Sequence, residues 1–177
     1  VGGLVFDGQQ HREVRPRRSR RTVLGLLSEV CAFNSALPLA TPAPPDSFAN
    51  MLANLRRVAK PGSNIYLVSD FSGADDDNAR KHLFQLAQHT QITAINCSDP
   101  LESQLPHGGR YAVTDGEARS ELNTGDQRLR REYRDAFTRL QDSLQTNFAR
   151  LGIPLLQAST TNPPFTLLQT YYGDSRR

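Results

Sequence analysis

Tryptophan is missing from these 177 residues, methionine occurs once and cysteine twice. Two cysteines cannot build the disulfide framework of a small secreted scaffold. Cys31 and Cys97 stand far apart in apolar segments without metal-type spacing, which predicts buried free thiols in a reducing compartment. No apolar run approaches the roughly 18 residues of a spanning helix, and the opening residues lack a signal-peptide pattern. The phosphate-cradling motifs are missing as well: there is no G-x-x-x-x-G-K-[ST] and no G-x-G-x-x-G behind a strand. No G-x-S-x-G elbow occurs. His11, His82, His89 and His107 share no metal spacing. Leu4-Val5-Phe6-Asp7-Gly8 faintly resembles a phosphatase nucleophile strand, but Gln9 stands where that chemistry needs a second aspartate. Nothing in this pattern supports turnover.

What is present is a polar globular chain, 37% hydrophobic and 22% charged, of a length suited to one domain. It opens on Val1, inside a strand-like run, which predicts a piece of a longer protein. Asp7-Gly8 between two strand-like runs is a hairpin signal. From Arg20 the period changes, and Val23, Leu26, Leu27, Val30 and Cys31 line one helical face. A proline-rich loop follows from Pro38 to Pro45, with Asp46 as a helix cap. Phe48, Met51, Leu52, Leu55 and Val58 then mark a second helix, stopped by Pro61-Gly62.

Ile65 to Val68 is a continuous β-favouring run, as expected for a strand covered on both faces. Asp75, Asp76 and Asp77 open a third helix, whose inner face is Ala79, Leu83, Leu86 and Ala87. Ile92 to Cys97 is another strand, closed by Asp99-Pro100. A second hairpin spans Tyr111 to Leu122 around Asp115-Gly116. A long helix from about Asp126 to Leu151 carries Leu129, Tyr133, Phe137, Leu140, Leu144 and Phe148 on one stripe. A last strand, Ile153 to Ala158, and a short helix, Phe165 to Tyr172, complete the chain. Strands alternating with helices predict a mainly parallel α/β sheet with helices on its flanks.

The charge is uneven. Arg12, Arg15, Arg17, Arg18, Arg20 and Arg21 fall within ten positions, while Lys60 and Lys81 are the only lysines among 21 basic residues. Such a cluster can meet nucleic acid or an acidic surface, or it can be a solvated strand edge that deters pairing. No aromatic residue interleaves with the arginines, which argues against single-strand recognition.

In a parallel sheet the ligand site lies beyond the carboxyl ends of the strands. Asp70 stands at that address after Ile65-Tyr66-Leu67-Val68-Ser69, with Ser69 and Ser72 beside it. Asp99 is the second such acid, with a turn role equally open to it. Ser47, opening the second helix, is within reach of a neighbouring loop. An oxygen-only donor set of this kind suits Mg²⁺, Mn²⁺ or Ca²⁺. An Asp behind a strand is also a common cap or turn residue.

The order of these pieces resembles bacterial proteins of the domain of unknown function family 58, in their C-terminal half. The pieces are Gly3-Leu4-Val5-Phe6-Asp7-Gly8, the run Arg15-Pro16-Arg17-Arg18-Ser19-Arg20-Arg21, Ile65 to Phe71, and Ala94 to Pro100. A D-P-x-E-x-x-L-P pattern is supplied by Asp99, Pro100, Glu102, Leu105 and Pro106. The resemblance covers essentially the whole chain. It implies an α/β fold like the von Willebrand factor A domain (Rossmann-like), with a metal-ion-dependent adhesion site. It also implies a non-enzymatic interaction module working with a MoxR-type AAA+ ATPase, or a client, in assembly or chaperone-like tasks.

The family's site is built from a D-x-S-x-S after the first strand, a Thr or Ser from a second loop, and an Asp after the fourth strand. Asp70 matches the third element and Ser47 the second, while D-x-S-x-S occurs nowhere. Residues 1–177 are therefore expected to be a single partial domain lacking the first central strand. Mg or Mn is expected in the full-length protein, and none bound here. The same reasoning implies a cytoplasmic protein, with a membrane attachment, if any, outside this stretch, and no small-molecule substrate. Two other readings stay open: a divalent-metal-dependent phosphoryl or phosphodiester hydrolase using Asp70, and a nucleic-acid binder using the arginine cluster.

Overall fold

In the computed structural model, residues 1–7, 10–36, 47–114 and 118–173 are described. The Pro38–Pro45 loop, Asp46, Gly8 and Asp115-Gly116 lie outside them. Helix α1 (Arg20–Ala36) follows an antiparallel hairpin of β1 (Gly3–Phe6) and β2 (His11–Val14). Helix α2 (Ser47–Val58), β3 (Asn64–Ser69), α3 (Asp77–Ala87) and β4 (Gln91–Ser98) come next. After α4 (Pro100–Ser103), a second hairpin of β5 (Arg110–Thr114) and β6 (Arg119–Asn123) leads into α5 (Gln127–Arg150). Strand β7 (Leu155–Ser159) and α6 (Pro164–Gly173) end the described chain.

Strands β3, β4 and β7 form a three-stranded parallel sheet in that order, Leu67 pairing with Ala94 and Ala94 with Leu155. The architecture is thus mixed α/β, a parallel sheet flanked by helices. Strand β1 does not pair with β3, so the first hairpin is a sheet of its own. Its Leu4 and Phe6 nevertheless pack against the main core.

That core is one-sided. Ile65, Leu67, Ile92 and Ala94 share one sheet face and are buried with Phe48 and Leu52 of α2, Leu83 and Leu86 of α3, and Leu144 and Phe148 of α5. Tyr66 and Val68, on the opposite face, remain 56% and 59% exposed. The expectation of a strand covered on both faces is corrected: among the described residues, α6 is the helix at that second face, bringing Tyr172 to 6.5 Å from Tyr66 between ring centroids. Buried Asn96 locks the covered side, its amide donating at 2.8 Å to both Gln141 Oε1 of α5 and Gln157 Oε1 of β7.

Two further expectations are corrected by reach. Helix α5 is about 36 Å long at 1.5 Å per residue, whereas its neighbour β7 has five residues. The helix outreaches the strand, Leu140 past its midpoint is still 47% exposed, and only Leu144 and Phe148 of the stripe are buried. Cys31 is exposed, because α1 turns only its other side, with Leu26, against the hairpin at Gly3. A Cβ on Gly3 would collide with Leu26, so glycine permits this close approach.

The helix ends follow from side-chain chemistry. Asp76 caps α3 by accepting from Asn78 N and Ala79 N. Asp126 caps α5 in the same way through Arg128 N and Leu129 N. At the other end Gly152 adopts φ 67°. Its N–H donates to Ala149 O, and Ile153 N–H donates to Phe148 O, with both Ile153 and Phe148 buried. This is a Schellman ending. Space around Gly152 is open, so Gly152→Ala is expected to cost about 1 kcal/mol from the left-handed backbone alone, measured by urea denaturation.

Candidate functional site

Each of the three parallel strands runs out into oxygen-bearing side chains. Strand β3 ends in Ser69-Asp70, β4 in Ser98-Asp99 and β7 in Ser159-Thr160-Thr161. Ser98 stands in register with Ser159, so the β4 and β7 tips are level, while Ser69 pairs with Asn96 and the β3 tip lies two residues lower.

Asp70 is exposed and held by its own turn. Its Oδ1 accepts from Ser69 Oγ at 3.2 Å and from Ser72 N at 3.1 Å, while Ser69 Oγ accepts from Phe71 N at 3.1 Å. Phe71 adopts φ 56°, the one positive φ of a non-glycine residue among the described residues. That conformation costs on the order of 1–2 kcal/mol. Burial of the Phe71 ring, 1% exposed, offsets the cost. The ring meets Phe48 edge-on at 5.8 Å and Phe148 at 4.9 Å.

The Phe48 contact brings the first turn of α2, where Ser47 is half-buried, against the turn that carries Asp70. Among the described residues, the hydrogen bonds of Asp70 run to Ser69 and Ser72 rather than to Ser47. Cys97 on β4 lies within the electrostatic reach of this turn. Burial, and then the Asp70 carboxylate, push its thiol pKa up.

Asp99 serves as a cap. Its Oδ1 accepts from Leu101 N at 2.9 Å, and Glu102 Oε1 accepts from Asp99 N at 2.8 Å, a capping box for α4. Its Oδ2 accepts from the hydroxyl of Thr160. Thr160 N–H in turn donates to Ser98 O. The Thr160 hydroxyl and then the Leu101 N–H hold the Asp99 carboxyl below its ordinary value. The β7 hydroxyls are the members of this rim that sequence reasoning missed. The run Ser-Thr-Thr behind a strand was the signal that could have found them.

Among the described residues, no three His, Cys, Asp or Glu side chains converge as a metal group would require. Mg²⁺ asks for six oxygens in near-octahedral order. Asp70 with its serine neighbours supplies one carboxylate and a few hydroxyls, so these residues do not fit a complete cage. Asp7, in the phosphatase-like stretch, accepts from Gln10 N at 2.9 Å and serves the hairpin turn. Among the described residues, no helix is long and apolar enough to cross a membrane.

Residues 1–143 match the family described as Protein of unknown function DUF58. No curated protein and no solved structure matches the chain.

Two measurements check this geometry. A carboxylate whose folded pKa is depressed adds stability above its unfolded pKa, near 3.9. That stability is lost as pH falls through the folded value. Asp99 is therefore expected to titrate below the ordinary aspartate range by NMR, and Thr160→Val to raise its midpoint. In a Cys31→Ser background, Asp70→Asn is expected to lower the Cys97 thiol pKa and speed its alkylation at mildly alkaline pH. An unchanged rate would separate Asp70 from β4.

Proposed function

This chain belongs to the DUF58 family, and on that premise we propose that residues 1–177 form a non-enzymatic interaction module of von Willebrand factor A-like design. Its working surface is the rim of strand tips, and its partner is a MoxR-type AAA+ ATPase or a client of one. The observation that carries the reading is that Ser69-Asp70, Ser98-Asp99 and Ser159-Thr160 stand at the carboxyl ends of three parallel strands, Ser98 level with Ser159 and Ser69 two residues lower beside Asn96.

The topology supports the fold reading. Strands β3, β4 and β7 are parallel and consecutive, with α3 and α5 as crossovers contributing to one core. Strand β1 packs Leu4 and Phe6 against that core without pairing with β3. The first central strand of such a fold has no counterpart among the described residues, and it would carry most of the metal ligands.

A rim with one free carboxylate and several hydroxyls leaves a divalent ion electron-poor. If such an ion were held by the complete site, an acidic side chain from a partner would be able to complete its coordination, and the ion would act as a bridge. Mg or Mn is the ion of this reading, with Asp70 and Ser47 as its ligands in the complete site. The ATPase and its clients are met in the cytoplasm.

Isothermal titration of the 177-residue chain is expected to show no Mg²⁺ or Mn²⁺ affinity in the micromolar range or tighter. Immobilised chain is expected to capture a purified MoxR-type ATPase, and Asp70→Asn to weaken that binding about tenfold. Equal binding by the variant would remove the strand-tip rim from the reading. Mn²⁺-dependent hydrolysis of a phosphodiester, lost in the same variant, would replace an interaction module with a hydrolase.

A further inference from the structure

We propose that the Arg12–Arg21 segment and the outer face of α1 form one docking surface for an acidic amphipathic helix of a protein partner. The surface is separate from the strand-tip rim and does not rest on the function proposed for it.

The electrostatic half is six guanidinium groups against one glutamate, Glu13, in residues 11–21. All six arginines are exposed. Among the described residues, none of them enters an ion pair; the pairs present are Arg80–Asp77, Arg110–Glu121 and Arg128–Glu132. The segment runs into the N-terminus of α1, whose dipole adds to the positive field. Guanidinium groups suit bidentate pairing with carboxylates.

The apolar half is on the helix itself. Val23, Leu24, Leu27, Val30 and Cys31 recur at helical spacing. All five are exposed, Leu24 and Leu27 at 55%. Leu26 packs onto Gly3 of β1, and Leu24, Leu27 and Cys31 lie about 100° or more around the helix from it, on the side the hairpin leaves open, with Val23 and Val30 at the stripe's edge. Arg20, three residues before Val23, stands at the head of the same stripe. Charge and apolar surface are therefore continuous.

This pairing selects the partner. Nucleic acid has no use for the apolar stripe, and no aromatic side chain stands among the arginines to stack on bases. A bilayer-surface helix carries basic residues along its polar face and aromatic residues at headgroup level. Here the charge sits at one end of α1, and the stripe has no Trp, Tyr or Phe. A second copy of this chain would set six arginines against six, with Glu29 the one acid on α1. A helix with leucines on one face and glutamates beside them meets both halves at once.

The probe is a fluorescein-labelled helical peptide as long as α1, with leucine at i, i+3, i+4 and i+7 and glutamate elsewhere. Its anisotropy is titrated with the 177-residue chain, beside a labelled DNA duplex and phosphatidylserine-containing vesicles. The peptide is expected to bind most tightly. Arg17→Ala with Arg18→Ala is expected to weaken it about tenfold, and Leu27→Ser, an exposed change checked for folding by circular dichroism, at least about tenfold. Leu24→Ser replaces Leu27→Ser if the latter disturbs the fold. Absent peptide binding, an affinity indifferent to the leucine change, or tighter binding of duplex or vesicles would each overturn the proposal.

Discussion

Phe71 must be buried and left-handed at the same time, and the candidate site hangs on that constraint. Its ring touches Phe48 of α2 and Phe148 of α5, so one side chain ties two helices to the tip of β3. The backbone strain is local, while the stabilisation comes from two distant parts of the chain. Because the ring points inward at φ 56°, the residue before it turns outward, and Asp70 stands exposed with its carboxylate steadied by Ser69 and Ser72. The position of the acid thus derives from the core rather than from the loop's own preferences.

Much of this was legible in the residues, and the reasons are specific. Ile65 to Val68 and Ile92 to Cys97 read as strands because β-branched runs ended at turn residues, and both strands exist. Asp76 and Asp126 read as helix openings because a carboxylate there satisfies free N–H groups. What periodicity could not tell was which apolar side chains find cover. Tyr66, Val68 and Leu140 carry the composition of buried residues, yet burial depends on which helices cross which face, a property of the whole chain. At the site, Asp70 was visible because an acid behind an apolar strand is conspicuous. Thr160 was not, because its role depends on β7 lying beside β4, a pairing made across 61 positions of sequence.

The same asymmetry explains where this molecule is sticky. Among the described residues, one sheet face has α2, α3 and α5 on it, and the other has α6. Helix α1 is held on one side by a hairpin and open on the other. Among the exposed apolar side chains, Tyr66 and Val68 lie on the sheet and Val23, Leu24, Leu27 and Val30 on α1. Contiguous apolar area is the usual mark of contact with other polypeptide.

The β5–β6 hairpin follows a different logic. Its ten strand residues are exposed except for Leu122, and its root is fastened to the body. There buried Thr124 donates its hydroxyl to His107 O and accepts from Gly109 N, while Arg130 reaches from α5 to Pro106 O at 2.7 Å. The ribbon can be lengthened, recoded or exchanged for a tag with little disturbance to the sheet, which makes it the natural place for lineages of this chain to diverge.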